Sequence, residues 1–175
     1  LKHPAVQILA LIRACTTVIY GAFIILAGPK LMEAGGDLTD VGWLIFISAI
    51  VGASAQVLVG AMSDYIGRRG ALAATLILGA LATAIFGQVH GFAVLLMIWA
   101  IYAFTQSAFQ SLIVAIAADI APPQLISQVM AIDSTAYSIG VTTAAILAMM
   151  TAETEPATIF WAGATAGLIG LAAVR

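Results

Sequence analysis

The chain has 175 residues, of which 63% are apolar and only 8% charged, with a mean hydropathy of +1.13. Soluble domains run nearer a quarter charged and at most about half apolar, so this composition marks an integral membrane protein. The formal net charge of -2 excludes the dense basic field that holds nucleic acid through its phosphates.

Crossing the hydrocarbon core takes about 20 helical residues, and breakers and charges divide the chain into six apolar runs of roughly that size. The first extends from Pro4 to Gly28 and ends at Gly28-Pro29-Lys30. A polar loop carrying Glu33, Asp37 and Asp40 leads to the second, Val41 to Met62, which stops at a charged turn from Ser63 to Arg69. The third covers Gly70 to Val89 and is closed by His90-Gly91. The fourth, Phe92 to Ala118, ends at Asp119 and the pair Pro122-Pro123. The fifth spans Ser127 to Met150, and after a short polar link the sixth spans Pro156 to Val174. A membrane barrel would need ten-residue segments of alternating polarity, roughly, and Ala71 to Gly87 does not alternate. The expected fold is an all-α membrane protein with six transmembrane helices, residues 1–175 forming a single domain. Cys15 is the only cysteine, so no internal disulfide can form. No signal segment stands out, and the opening at Leu1 carries the expectation of a piece of a longer protein.

Cytoplasmic loops keep Lys and Arg. With the start inside, Lys2, Arg68, Arg69 and Arg175 are cytoplasmic and only Lys30 is outside, together with Glu33, Asp37, Asp40, Glu153 and Glu155. Both ends are then expected in the cytoplasm.

Residues three or four apart share a helical face, and lipid penalises a polar face unless it meets protein or water. The first run carries Arg13, Thr17 and Tyr20 on one face, with Thr16 beside them. The second lines up Ser48, Gly52, Gln56 and Gly60; the fourth, Tyr102, Gln106 and Gln110; the fifth, Asp133, Tyr137 and Gly140. The third and sixth offer scattered threonines (Thr75, Thr83, Thr158, Thr165), which can satisfy themselves on their own backbone. Interhelical glue explains any one stripe; four stripes against two point to a shared polar cavity.

Arg13 lies well inside its span, because Ala14 to Pro29 is too short to cross alone. It either snorkels to the cytoplasmic headgroups or serves as a cavity cation that binds an anionic substrate or pairs with an acid. Asp133, the acid inside a predicted span and set one to two turns from the same side, is the candidate partner. It is expected to act as that partner or as a proton-coupling carboxylate.

Between the second and third runs stands Gly60-Ala61-Met62-Ser63-Asp64-Tyr65-Ile66-Gly67-Arg68-Arg69-Gly70. Asp64 sits near a helix carboxyl end, where the dipole disfavours an anion, so it needs Arg68, Arg69 or a neighbouring helix. Gly60 would let another helix approach closely, and Gly67 permits a tight reversal. A plain positive-inside anchor would explain the arginines but not Asp64 or the glycine spacing.

This segment resembles the loop between the second and third helices of a six-helix half in the major facilitator superfamily. Ala118-Asp119-Ile120-Ala121-Pro122-Pro123 is similar to the family's fourth-helix end, so the resemblance extends over the whole chain. It implies one half of a transporter, a 3+3 inverted repeat whose first, second, fourth and fifth helices line the path while the third and sixth lie outside. It also implies that Gly60, Asp64, Gly67, Arg68 and Arg69 hold the cytoplasmic side together during alternating access. A full transporter of this type has two halves with substrate near the midplane between them. The implied partners are therefore the lipid bilayer, a small-molecule substrate and a second six-helix half, in the same chain or a dimer partner. The family's fourth-helix arginine has no counterpart around Trp99 to Gln106. Gly140-Val141-Thr142-Thr143 stands where antiporters carry Gly-Pro, and Gln124 to Gln128 lacks a basic residue. These departures point to a carboxyl-terminal half, and to symport or uniport rather than drug:proton antiport. The expected location is the cell membrane, a bacterial inner membrane.

The candidate cavity residues are thus Arg13, Thr17, Tyr20, Gln56, Tyr102, Gln106, Gln110, Asp133 and Tyr137, suited to an anion or to a solute rich in hydrogen-bonding groups. No catalytic residue, cofactor or metal is expected, since no Cys/His/carboxylate cluster has ligand spacing. Two rival readings compete with a transporter. A non-transporting six-helix scaffold or receptor would pack its polar stripes closed. An intramembrane serine protease would need Ser54 and His90 within hydrogen-bond reach, but Ser54 is near mid-helix and His90 is in an outer loop.

Overall fold

The structure, a computed structural model, describes residues 4–151 together with Ala164, Thr165 and Ile169. These form α1 (Pro4–Glu33), α2 (Leu38–Ile66), α3 (Arg68–Gln88), α4 (Phe92–Ile120), a single 3-10 turn (Pro123–Leu125) and α5 (Ile126–Thr151). Each of the five helices is long and apolar enough to cross a membrane. Apart from Ala164, Thr165 and Ile169, all helical, the expected sixth span lies outside the described residues, as do Lys2, His3, Glu153, Glu155, Thr158 and Arg175.

Helix limits differ from the sequence reading where a polar segment proved helical. α1 runs on through Gly28-Pro29-Lys30, with Pro29 inside it. A proline removes one backbone donor, and this close to the helix end the cost is tolerated. Gly35, at φ 94, then ends the helix in a left-handed conformation, and the Gly36 N–H returns to the Leu31 carbonyl at 3.0 Å. Asp37 caps α2 reciprocally: its carboxylate accepts from the Asp40 N–H and the Asp40 carboxylate accepts from the Asp37 N–H, both at 2.9 Å. The expected charged turn from Ser63 to Arg69 shrinks to one residue, Gly67, whose φ of 85 only glycine adopts readily. At 29 residues, α2 is about 43 Å long at 1.5 Å per residue, so its ends reach past the hydrocarbon into the headgroups.

α1 packs chiefly on α5, while α2 and α3 pack on α4. Under a three-helix repeat that maps α1 onto α4 and α2 onto α5, the α1–α5 and α2–α4 pairs exchange, which is the contact pattern of an inverted repeat. α3 lies behind α4 and buries Leu72, Thr75, Leu76, Gly79, Thr83 and Phe86. Its threonines donate to their own helix, Thr75 to the Leu72 carbonyl and Thr83 to that of Gly79.

Among the described residues the apolar core falls into two main clusters, with Ala148 packed apart from them against Leu26. One cluster joins Leu9, Ile12, Val59, Leu72, Phe109 and Leu112; the other joins Ile19, Phe23, Leu31, Leu44, Phe86 and Leu95. Between Ile12 and Ile19 on α1 stand Arg13, Thr16 and Thr17, and between Tyr102 and Ala108 on α4 stand Thr105, Gln106 and Ser107. Two greasy layers thus sandwich a polar waist near mid-bundle.

Candidate functional site

Arg13 occupies that waist. Only 5% of the residue is exposed, and three helices surround its guanidinium. Nη2 donates to Gln110 Oε1 of α4 at 2.9 Å, and Nε stands 3.4 Å from Asp133 Oδ1 of α5. The cation lies 4.9 Å from the Tyr137 ring centroid and 5.9 Å from that of Phe109, within range of cation–π attraction. Yet Arg13 Nε and Nη1 and Asp133 Oδ1 make no hydrogen bond among the described residues. A buried donor left unmade costs about 1–3 kcal/mol, more when charged. The pair is therefore held by Coulomb attraction while keeping capacity for a further partner.

Small residues bring Asp133 to Arg13. A Cβ added to Gly140 would lie 2.6 Å from the Ala14 carbonyl oxygen and from Thr17 Cβ, and one added to Gly21 would run into Ala144. Glycine at these positions lets α1 and α5 approach closely, as small-residue crossings do in membranes. Thr17, expected on a cavity-facing stripe, is consequently buried between the two helices, and its hydroxyl donates to the Arg13 carbonyl at 2.7 Å. Gly140 likewise serves the crossing and faces no cavity.

Tyr20 and Tyr137 continue the cluster, with ring centroids 6.1 Å apart. Above them Tyr102 is buried and stacks on Phe23 at 3.7 Å with an interplanar angle of 9°. The Tyr102 hydroxyl and Gln106 Nε2 have no hydrogen-bond partner among the described residues. A cavity of about 350 Å³ opens beside them between α1, α2 and α4. Arg13, Tyr20, Tyr102, Gln106, Gln110, Asp133 and Tyr137 are thus brought into one connected region.

Gln56 does not join it. The α2 line splits: the Trp99 indole N–H donates to Ser48 Oγ, and Gly52 sits against Ser107 of α4, whereas Gln56 is exposed. Beyond its own stretch of helix, no described residue lies within 4 Å of a Cβ added to Gly60. The close helix approach expected there is absent among the described residues, because α2 meets α4 along Gly52, Ala55, Val59 and Ser63.

At the rim, Arg68 makes the principal clasp with Asp119 at the end of α4, and with Asp64 it makes a looser i,i+4 pair at 3.5 Å. The Asp64 side chain is 65% exposed, and Arg69 is exposed with no ion pair among the described residues. The sequence reading missed Asp119 as partner. A signal was available: alternating crossings put the end of the fourth helix on the same side as Arg68, and Asp119 is the acid there. Also missed was a face of α5. Ser134, Ser138 and Thr142, spaced by four, are exposed, each hydroxyl donating to its own helix. Ser54 spends its hydroxyl in the same way on the Ile50 carbonyl. Among the described residues no group of His, Cys, Asp and Glu could hold a metal.

A family model described as Major Facilitator Superfamily matches residues 9–175. Comparison with curated proteins finds no match. Among solved structures, that of the human organic anion transporter MFSD10 (TETRAN) is similar with a TM-score of 0.75 at 21% identity. The similarity covers 97% of this chain and 46% of that one, so the chain spans just under half the length of that protein.

Proposed function

The chain belongs to the Major Facilitator Superfamily, a superfamily of multi-pass membrane transporters, and from that premise we propose that it is one six-helix half of a secondary transporter moving a small solute by alternating access. The observation that carries this reading is the buried Arg13–Asp133 pair, placed between three helices at the polar waist with uncommitted donors. A scaffold needs no such pair, since replacing buried ions with apolar groups is often neutral or stabilising. Closed contacts such as Thr17 on Gly140 would suit a scaffold, but the spare guanidinium donors would not.

The second half, in the same chain or as a dimer partner, would cover the open faces of α2 and α5. Ala49, Ala53, Gln56 and Gly60 on one, and Ser134, Ser138 and Thr142 on the other, are exposed or half-exposed and small or polar. Lipid gives such a surface little reward, and helix partners do. With both ends cytoplasmic in a bacterial inner membrane, the Arg68–Asp119 clasp and Asp64 would gate the inner side.

In the coupling scheme we favour, protonation of Asp133 releases Arg13 to an anionic group, and proton and anion cross together. Arg13 faces that carboxylate, while Gln110 and Tyr137 hold the other side of the Arg13 guanidinium and Tyr20 packs on Tyr137. The human neighbour is named for organic anions, which agrees with a buried arginine as the solute's anchor. The test is uptake by the full transporter in liposomes under an imposed proton gradient. Asp133→Asn, assayed well below its lowered unfolding midpoint, should abolish pH-driven accumulation while sparing exchange; accumulation intact in that variant removes the coupling role.

A further inference from the structure

We infer that the waist holds a second, smaller binding site: a chamber between α1, α3 and α4 that takes a single water molecule and through it fixes Tyr102 and Gln106. The chamber has a volume of about 20 Å³. One water needs about 10–15 Å³, whereas small-molecule pockets begin at roughly 300 Å³. Five residues of its wall are polar: Thr16 of α1, Thr75 of α3, and Tyr102, Thr105 and Gln106 of α4. Cavities that stay empty in proteins are lined by apolar side chains; this one is not.

The donors and acceptors of the wall match those of water. Each threonine hydroxyl donates to its own helix: Thr16 to the Ile12 carbonyl at 2.9 Å, Thr75 to that of Leu72 at 2.9 Å and Thr105 to that of Tyr102 at 2.8 Å. Their oxygens can then only accept. The Tyr102 hydroxyl, on a residue 4% exposed, and Gln106 Nε2 are donors without a partner among the described residues. A water accepts from these two and donates to the threonine oxygens, which joins α1, α3 and α4. No described carboxylate lines the chamber, so a bare cation there would be buried without a counter-charge.

Gly79 makes the room. Beyond its own stretch of helix, a Cβ added there would meet only Thr105, 3.5 Å from Oγ1. Alanine would therefore fit and would favour the helix, but its methyl would take the space beside that oxygen. Tyr102 and Gln106 also line the larger cavity between α1, α2 and α4. The water thus braces that cavity's wall from behind, and α3, outside the proposed path, acts on the site through it.

The experiment is X-ray hydroxyl-radical labelling of the purified full-length protein, which marks side chains beside bound water, combined with thermal unfolding. Leu76 and Phe109, in the chamber wall, should be labelled in the wild type, and Leu95, buried in the apolar cluster, should not. Gly79→Ala should cut labelling at Leu76 and Phe109 several-fold and lower the unfolding midpoint, because Tyr102 and Gln106 lose their shared partner. Tyr102→Phe should lower the midpoint too. In a dry chamber both signs reverse: alanine fills a void and improves the helix, and phenylalanine removes an unpaired hydroxyl. Wild-type Leu76 and Phe109 as unreactive as Leu95, or a midpoint raised by both substitutions, overturns the assignment. A midpoint higher in sodium chloride than in choline chloride for the wild type but not for Gly79→Ala would put a cation in the chamber and overturn it as well. Solute uptake enters none of these readouts, so the transport reading stands or falls separately.

Discussion

Arg13 on α1 and Asp133 on α5 face each other at 3.4 Å, with side chains 6% and 11% exposed. Taking away one member of such a pair leaves an uncompensated buried charge, at a cost of about 3–5 kcal/mol. Arg13→Gln and Asp133→Asn should each lower the unfolding midpoint of the full protein sharply, while the double variant recovers most of the loss. Additive losses in the double variant would show that the two side chains act independently.

The glycines make a sharper contrast. A methyl at Gly140 would collide with the backbone and Thr17 of α1, whereas one at Gly60 meets nothing beyond its own stretch of helix within 4 Å. Gly140→Ala should therefore destabilise by about 1–3 kcal/mol, as overpacking does. Gly60→Ala should be neutral or stabilise the helix by up to about 1 kcal/mol. Thermal unfolding of both variants decides; equal costs would mean that α1 and α5 do not cross at Gly140.

Much of this was legible in the sequence, and what escaped has common causes. Hydropathy and breakers gave the five described helices, because lipid forces every crossing to be a long apolar run. The Arg13–Asp133 pair was legible because both charges sat at similar depth in their spans. Facing directions were not. Asp133, Tyr137 and Gly140 share a helical face that looks at α1, and the open face of α5 carries serines and threonines instead. Periodicity identifies a stripe but not what it meets, since small residues invite both close packing and water. Asp119 was missed for a different reason: the pairing with Arg68 joins two turns remote in sequence, and only the topology connects them.

At the rim, Asp119→Asn should matter more than Asp64→Asn. Arg68 bonds Asp119 across helices, while its pair with Asp64 is local and largely solvated. Exposed pairs contribute about 0.2–1 kcal/mol, so the expected effect is a shift between conformations and not unfolding. Thiol labelling of Ile8→Cys, beside this clasp, should rise several-fold in Asp119→Asn and little in Asp64→Asn. The reverse order would assign the clasp to Asp64.

The cap of α2 carries a pH dependence. The Asp40 backbone N–H donating to the Asp37 carboxylate holds that carboxyl below its usual range. A folded value below the unfolded one, about 3.9, gives stability that is present at neutral pH and lost as pH falls through the folded value. The melting difference between wild type and Asp37→Ala should hold from pH 7 to about 5 and narrow below about pH 4. A gap unchanged at pH 3 would leave no role for the charged cap.

The most direct measurement of the central claim is water access to the waist and the open helix faces. In a Cys15→Ser background of the full transporter, single cysteines at Gln56, Gln106 and Ser138 are exposed to a membrane-impermeant maleimide, with Ile77 and Ile85 on α3 as lipid-side controls. The account predicts that the three sites react from one side of the membrane, that bound solute changes their rates, and that the controls stay unmodified. If all three remain unreactive from both sides, with and without solute, no aqueous path runs between these helices and the transport account is contradicted.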